Sequence, residues 1–169
     1  MASGDTLAVF FPQDGEPPSS NYATLNTRTT TGAAALVLDY DDTTDESMDF
    51  AGFMPRHYGS GGVTATIGWI AYTAAGGVSL DMSFLALAAD SDNLHTASFA
   101  SANNTAGTAA SAVGQISYTT IAFTDGADMD SVAAGSLFRM RLTRDADGTT
   151  STDDMVGDLE LLFVEIKET

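Results

Sequence analysis

Along much of this chain, large apolar side chains alternate with small or polar ones. In the stretch 136–144, Phe138, Met140 and Leu142 fall on one side of an extended backbone while Arg139, Arg141 and Thr143 fall on the other. The same period of two runs through Val63, Ala65, Ile67 and Trp69, and through Val78, Leu80, Met82, Phe84 and Ala86. These patterns predict half-buried β-strands at 62–73, 77–88 and 136–144, and further strands at 34–40, 47–54 and 115–124. The closing stretch 157–168 is apolar on both sides from Leu159 to Val164, as expected of a central strand. Glycine-rich or acidic turns separate the strands, and the Asp-x-x-apolar pattern in 126–135 predicts a single helical turn. The segment 90–114 is poor in large apolar residues and reads as a long surface connection, with one short strand expected near Phe99.

The first 32 residues differ. They carry Pro12, Pro17 and Pro18 and show periodicity only at 22–28, so they read as an extended arm or edge segment preceding a β-sandwich domain at 33–169. Phe10, Phe11, Pro17, Pro18, Tyr22 and Arg28 are the side chains this segment offers to another chain. Its five-residue apolar run from Leu7 to Phe11 has no basic region before it, so no secretory signal peptide is expected. Roughly eight to ten short strands in one domain predict an all-β, antiparallel sandwich, with the jelly roll preferred over the immunoglobulin-like arrangement.

Charge narrows the function. Against 23 Asp and Glu stand 6 Lys and Arg, a formal net charge of −17, and a protein of that balance is repelled by nucleic acid and by anionic lipid. Neither is expected as a partner. The chain has no cysteine and only two histidines, His57 and His95, and no Gly-x-Ser-x-Gly elbow accompanies them, so no enzyme activity is expected. Acidic clusters are the remaining chemistry. In the stretch 38–46, Asp39, Asp41 and Asp45 are candidate calcium ligands through hard carboxylate oxygens. An EF-hand is excluded, because counting from Asp39 the sixth position is Thr44 rather than glycine and the twelfth is Phe50 rather than glutamate. No cofactor and no required metal are expected. The paired arginines Arg139 and Arg141 are expected to form cross-strand ion pairs, with Glu160 or Glu165 of the last strand as partners, or to fix register at a subunit interface. Trp69, lying within an alternating strand, is expected in the core rather than on a sugar-binding face.

The stretches NYATLNTR, FMPRHYGSGG, IAFTDGADMDSVAAGSLFRMRLTRDA and GDLELLFVEIKET resemble a family of small β-sandwich proteins encoded by tailed bacteriophages and prophages. The resemblance implies a jelly roll and a structural part in the virion, and it brings no catalytic residues. The corresponding expectation is a decoration or cement protein, made in the host cytoplasm, that binds the major capsid protein on the outer capsid surface. Exposed sheet edges and the proline-bearing first segment favour a homotrimer in that setting. The alternative is a tail-associated module that binds carbohydrate or a receptor through a sandwich face or loops.

Overall fold

The computed structural model describes residues 4–29, 32–73 and 75–169. Eleven strands form among them: β1 Thr6–Phe10, β2 Gly15–Glu16, β3 Thr24–Arg28, β4 Ala35–Tyr40, β5 Glu46–Phe53, β6 Val63–Ala71, β7 Gly77–Leu87, β8 Asn103–Thr108, β9 Ile116–Phe123, β10 Leu137–Arg144 and β11 Leu159–Glu168. Short 3-10 turns stand at Pro12–Asp14 and at Ala127–Met129, the second inside the stretch where one helical turn is predicted.

The strands make two antiparallel sheets packed face to face. Sheet I runs β3-β4-β11-β6-β9, with β1 also paired to β11; sheet II runs β2-β5-β10-β7-β8. From β4 onward the chain crosses between layers so that β4-β11-β6-β9 faces β5-β10-β7-β8. That order is the double Greek key of a jelly roll. The first segment contributes β1 and β3 to sheet I and β2 to sheet II. Residues 1–3 and 30–31 of it lie outside the described residues.

Period-two patterning decides which face is buried. Phe138, Met140 and Leu142 of β10 are fully buried, as are Val78, Leu80, Met82 and Phe84 of β7 and Val63, Ala65, Ile67 and Trp69 of β6. Rings tie the layers together: Phe84 of sheet II meets Phe123 of sheet I edge to face at 4.9 Å between centroids, and meets Phe138 at 5.7 Å. Trp69 is in the core, its Nε1 donating to Thr119 Oγ1 at 3.0 Å. The strand in the long connection is β8, not a strand near Phe99. Its sequence, NNTAGT, has no large apolar residue to signal it, and at Gly107 a Cβ would come within 2.5 Å of Thr119 Oγ1 and 3.2 Å of the Trp69 ring.

Arg144 is in phase with the core residues of β10 and is fully buried. Its guanidinium grips Asp153 with two bonds, Nε to Oδ2 at 3.0 Å and Nη2 to Oδ1 at 2.9 Å. The remaining donors go to backbone carbonyls: Nη1 to Tyr40 at 3.2 Å and Gly157 at 3.0 Å, and Nη2 to Met155 at 2.9 Å. The charge so buried is paired and hydrogen-bonded, and it fastens the loop between β10 and β11 to the end of the sandwich.

Candidate binding face

Because β10 sits between β5 and β7, its polar side chains lie at the centre of the outer face of sheet II. Register sets their neighbours. Phe53, Leu137 and Leu87 lie in one row across the sheet; Ala51, Arg139 and Leu85 in the next; then Asp49, Arg141 and Ser83; then Ser47, Thr143 and Asp81. Glu16 of β2 pairs beside Asp49 and extends the third row.

The result is an ordered ionic array. Arg141 holds Asp49 with both oxygens, Nε to Oδ1 at 2.6 Å and Nη2 to Oδ2 at 3.0 Å. Arg139 reaches Glu16 at 2.7 Å and Asp49 at 3.5 Å. The segment after β7 folds back beside it, with the Ala100 amide donating to the Phe84 carbonyl at 2.8 Å, and the Phe99 ring stacks on Arg141 with Cζ 4.4 Å from its centroid. Asp49 is buried, and both its oxygens are taken up by the two guanidinia. On one side of the array lie Phe53 and Leu137, 52% and 44% exposed; on the other, Ser47 and Thr143 share a hydrogen bond of 2.7 Å, and Asn104 donates to Asp81 at 2.6 Å. Such a face can hold and orient a ligand. Its two carboxylates are committed to arginines and are not poised to exchange protons with one.

This arrangement corrects the expected partners of the arginines. β11 lies in the other sheet, where Glu160 pairs with Arg28 and Glu165 accepts from the Thr6 hydroxyl. Phe10 is withdrawn from the candidate contact residues, since it packs in the core on Phe50 and Phe138 at 5.7 and 6.2 Å. Phe11, Pro17 and Tyr22 are exposed, Pro18 and Arg28 half-buried. His57 and His95 are exposed. The sequence reading missed Asp49, Glu16, Phe53 and Phe99; alternation around Met48 and Phe50 carried a signal for Asp49 alone.

The calcium candidates do not converge as a set. Asp41 groups with Asp42 and Asp158, Asp45 groups with Asp145 and Asp147, and Asp39 accepts from Asn26 at 2.7 Å. Both groups are built as hydrogen-bonded turns, with Asp41 Oδ1 accepting from the Thr43 and Thr44 amides at 2.7 and 2.9 Å and Asp42 accepting from the Gly157 amide.

These turns make stability depend on pH in two opposed ways. Burial alone would raise the Asp145 carboxyl, but hydrogen bonds from the Thr150 hydroxyl and amide, the Ser79 hydroxyl and the Thr149 amide outweigh it and hold it well below the usual carboxylate range. Its contribution is complete above the unfolded value near 4 and is lost as the pH falls through the folded one. Asp158 runs the other way, raised by burial and then by Asp39, Asp41 and Asp42, so the folded chain holds that proton more tightly and stability is given up as pH rises past about 4. Urea denaturation across the pH range is expected to show Asp145→Asn less stable than the native chain at pH 7 with a flatter acid limb, and Asp158→Asn more stable at pH 7. A shared response of the two variants would contradict these assignments.

No protein-family model and no curated protein matches the chain. Among solved structures, the chain is similar to CBM28, a carbohydrate-binding module specific for non-crystalline cellulose, at 10% identity and a TM-score of 0.47, covering 92% of this chain and 86% of that one. It is also similar to the CBM22-1 xylan-binding domain of Paenibacillus barcinonensis Xyn10C, at 10% identity and a TM-score of 0.46 over 99% and 97% of the two chains. A third is the family 11 carbohydrate-binding module of Clostridium thermocellum, in complex with a β-1,3-1,4-mixed-linked tetrasaccharide, at 9% identity and a TM-score of 0.47 over 98% and 96%. Likeness at this level assigns the chain neither a family nor a ligand.

Proposed function

We propose that the protein is a non-catalytic binding module that holds a neutral glycan on the outer face of sheet II. The observation that carries this is the ionic array of Glu16, Arg139, Asp49 and Arg141, flanked by exposed Phe53 and Leu137 and by stacked Phe99. A pyranose presents an apolar C–H face and a rim of hydroxyls that donate and accept together. An aromatic ring takes the first, and planar carboxylates and guanidinia locked by their own ion pairs take the second without first being ordered. Rows about 7 Å apart along the strands, with neighbours about 4.8 Å apart within each row, give a ladder of such contacts. The net charge of −17 disfavours polyanionic sugars and leaves neutral ones. The reading rests on this face and not on the ligands of the structural neighbours.

Affinity electrophoresis through gels carrying neutral and uronic-acid polysaccharides tests it. Retardation by at least one neutral polymer is expected, at a dissociation constant of roughly 10 μM to 1 mM, equivalent to about 4–7 kcal/mol. Free migration in every gel would overturn it. A homotrimer on the outer capsid surface, bound to the major capsid protein, is the second proposal. It rests on the resemblance to phage proteins, and co-sedimentation with empty capsids in place of glycan retention would favour it.

A further inference from the structure

We propose that the open edge of the sandwich docks an extended, basic segment of another protein, which adds as a strand beside β3 and seats one apolar side chain in the cleft behind it. β3 ends sheet I and pairs with β4 alone, in an unbroken five-residue register from Thr24 opposite Asp39 to Arg28 opposite Ala35. Among the described residues no strand lies on its other side. Other edges are guarded. β2 is two residues long and runs into Pro17 and Pro18, and β1 carries a register shift between Thr6 and Ala8. At the far side of the sandwich β8 and β9 are joined across the layers, Asn103 Nδ2 donating to the Ala122 carbonyl at 2.9 Å. β3 contains no proline, no lysine and no bulge, and its one charge, Arg28, is spent on Glu160; one of its amides, that of Thr27, donates to the Asn26 side chain at 2.7 Å.

Behind this edge the two layers part around a cleft of about 280 Å³, lined by Pro12, Pro17, Tyr22, Leu25, Leu38 and Met48 among others. Leu25 belongs to β3 itself and is about half exposed, so a strand laid along β3 brings a side chain to the mouth of the cleft. Main-chain bonds to an edge with a pocket for an alternate side chain are the two parts of strand-addition recognition. The volume suits a single leucine- or phenylalanine-sized side chain rather than a larger ligand.

Charge selects the occupant. Asp14, exposed, lies on the turn beside the cleft, while Glu16 is held by Arg139 on the outer face of sheet II and the local cation Arg28 is already paired, so the attraction comes from Asp14 and from the net negative charge of the whole molecule. A second copy would bring a net charge of −17 against −17 and no free cation on its own β3, whereas a lysine-bearing strand is attracted from a distance.

The test is an NMR titration of the 169-residue chain with a synthetic peptide alternating valine and threonine, carrying one central phenylalanine and lysines at both ends. Saturable amide shifts confined to residues 22–28 and to the cleft lining are expected, with at least tenfold weaker binding for Leu25→Lys and for a peptide with glutamate in place of lysine. Should Leu25→Lys fail to fold, Tyr22→Ser at the exposed rim is expected to weaken binding in the same assay. Shifts scattered over other faces, equal binding of the glutamate peptide, or a β3-mediated dimer in sedimentation at micromolar protein would each overturn the proposal. Glycan retention plays no part in this assay, so the two proposals fail independently.

Discussion

Replacing Arg144 by methionine is expected to lower the stability of the domain by about 3–5 kcal/mol, because the change leaves the Asp153 carboxylate buried without its partner and three carbonyls without a donor. Against a typical total of about 5–15 kcal/mol this is a large fraction. It corresponds to a melting temperature lower by roughly 6–20 °C in a domain of this size. The double replacement Arg144→Met with Asp153→Leu removes the orphaned charge together with its partner, and is expected to recover more than half of the loss. Equal instability of the single and double variants would show that the carbonyl contacts, rather than the buried charge, dominate. Thermal denaturation of the three proteins at one pH separates the two cases.

Phe84→Ala is the second large effect, with an expected loss of about 3–5 kcal/mol. The side chain is fully buried and is the ring that spans the layers, meeting Phe123 of sheet I and Phe138 of sheet II. Its removal opens a cavity where β7 and β9 face each other. Those strands belong to different rigid sheets, and neither can move inward without breaking its own ladder, so little collapse is available to offset the loss. Urea denaturation should show a lower midpoint with an unchanged slope; a loss below about 1 kcal/mol would mean that the layers close over the gap.

What the sequence disclosed follows from the range of each interaction. Alternation is local, so β6, β7 and β10 were legible with their inward faces, and the doubly apolar run of β11 announced a strand at the centre of a sheet. Even the burial of Arg144 was encoded, since it continues the phase of Phe138, Met140 and Leu142; only the habit of placing arginine in water hid it. β8 was illegible because it is made of small and polar residues, and because Phe99, the nearby large side chain, serves Arg141 rather than a strand.

The candidate face was half legible. Alternation placed Arg139 and Arg141 outward, but which strands flank them depends on pairing between residues some 90 positions apart, as between Arg139 and Asp49, and nothing local encodes that. Asp49, Glu16 and Phe53 became neighbours of the arginines only through the crossing of the chain between layers. The cleft beside β3 was hidden for the same reason: Leu25 and Met48 line it from different sheets.

The central claim is that the outer face of sheet II binds sugar, and amide chemical-shift mapping with a soluble neutral oligosaccharide, chosen from the polymer that retards the native protein, tests it most directly. Shifts that saturate together at residues 49–53, 137–141 and 99, and that are abolished by Phe53→Ala and Arg139→Ala in variants that retain the native fold, are the result expected. Saturable shifts centred instead on the opposite outer face, where Tyr118 and Phe163 stand 6.0 Å apart on sheet I, or no saturable shift with any neutral sugar, would contradict it.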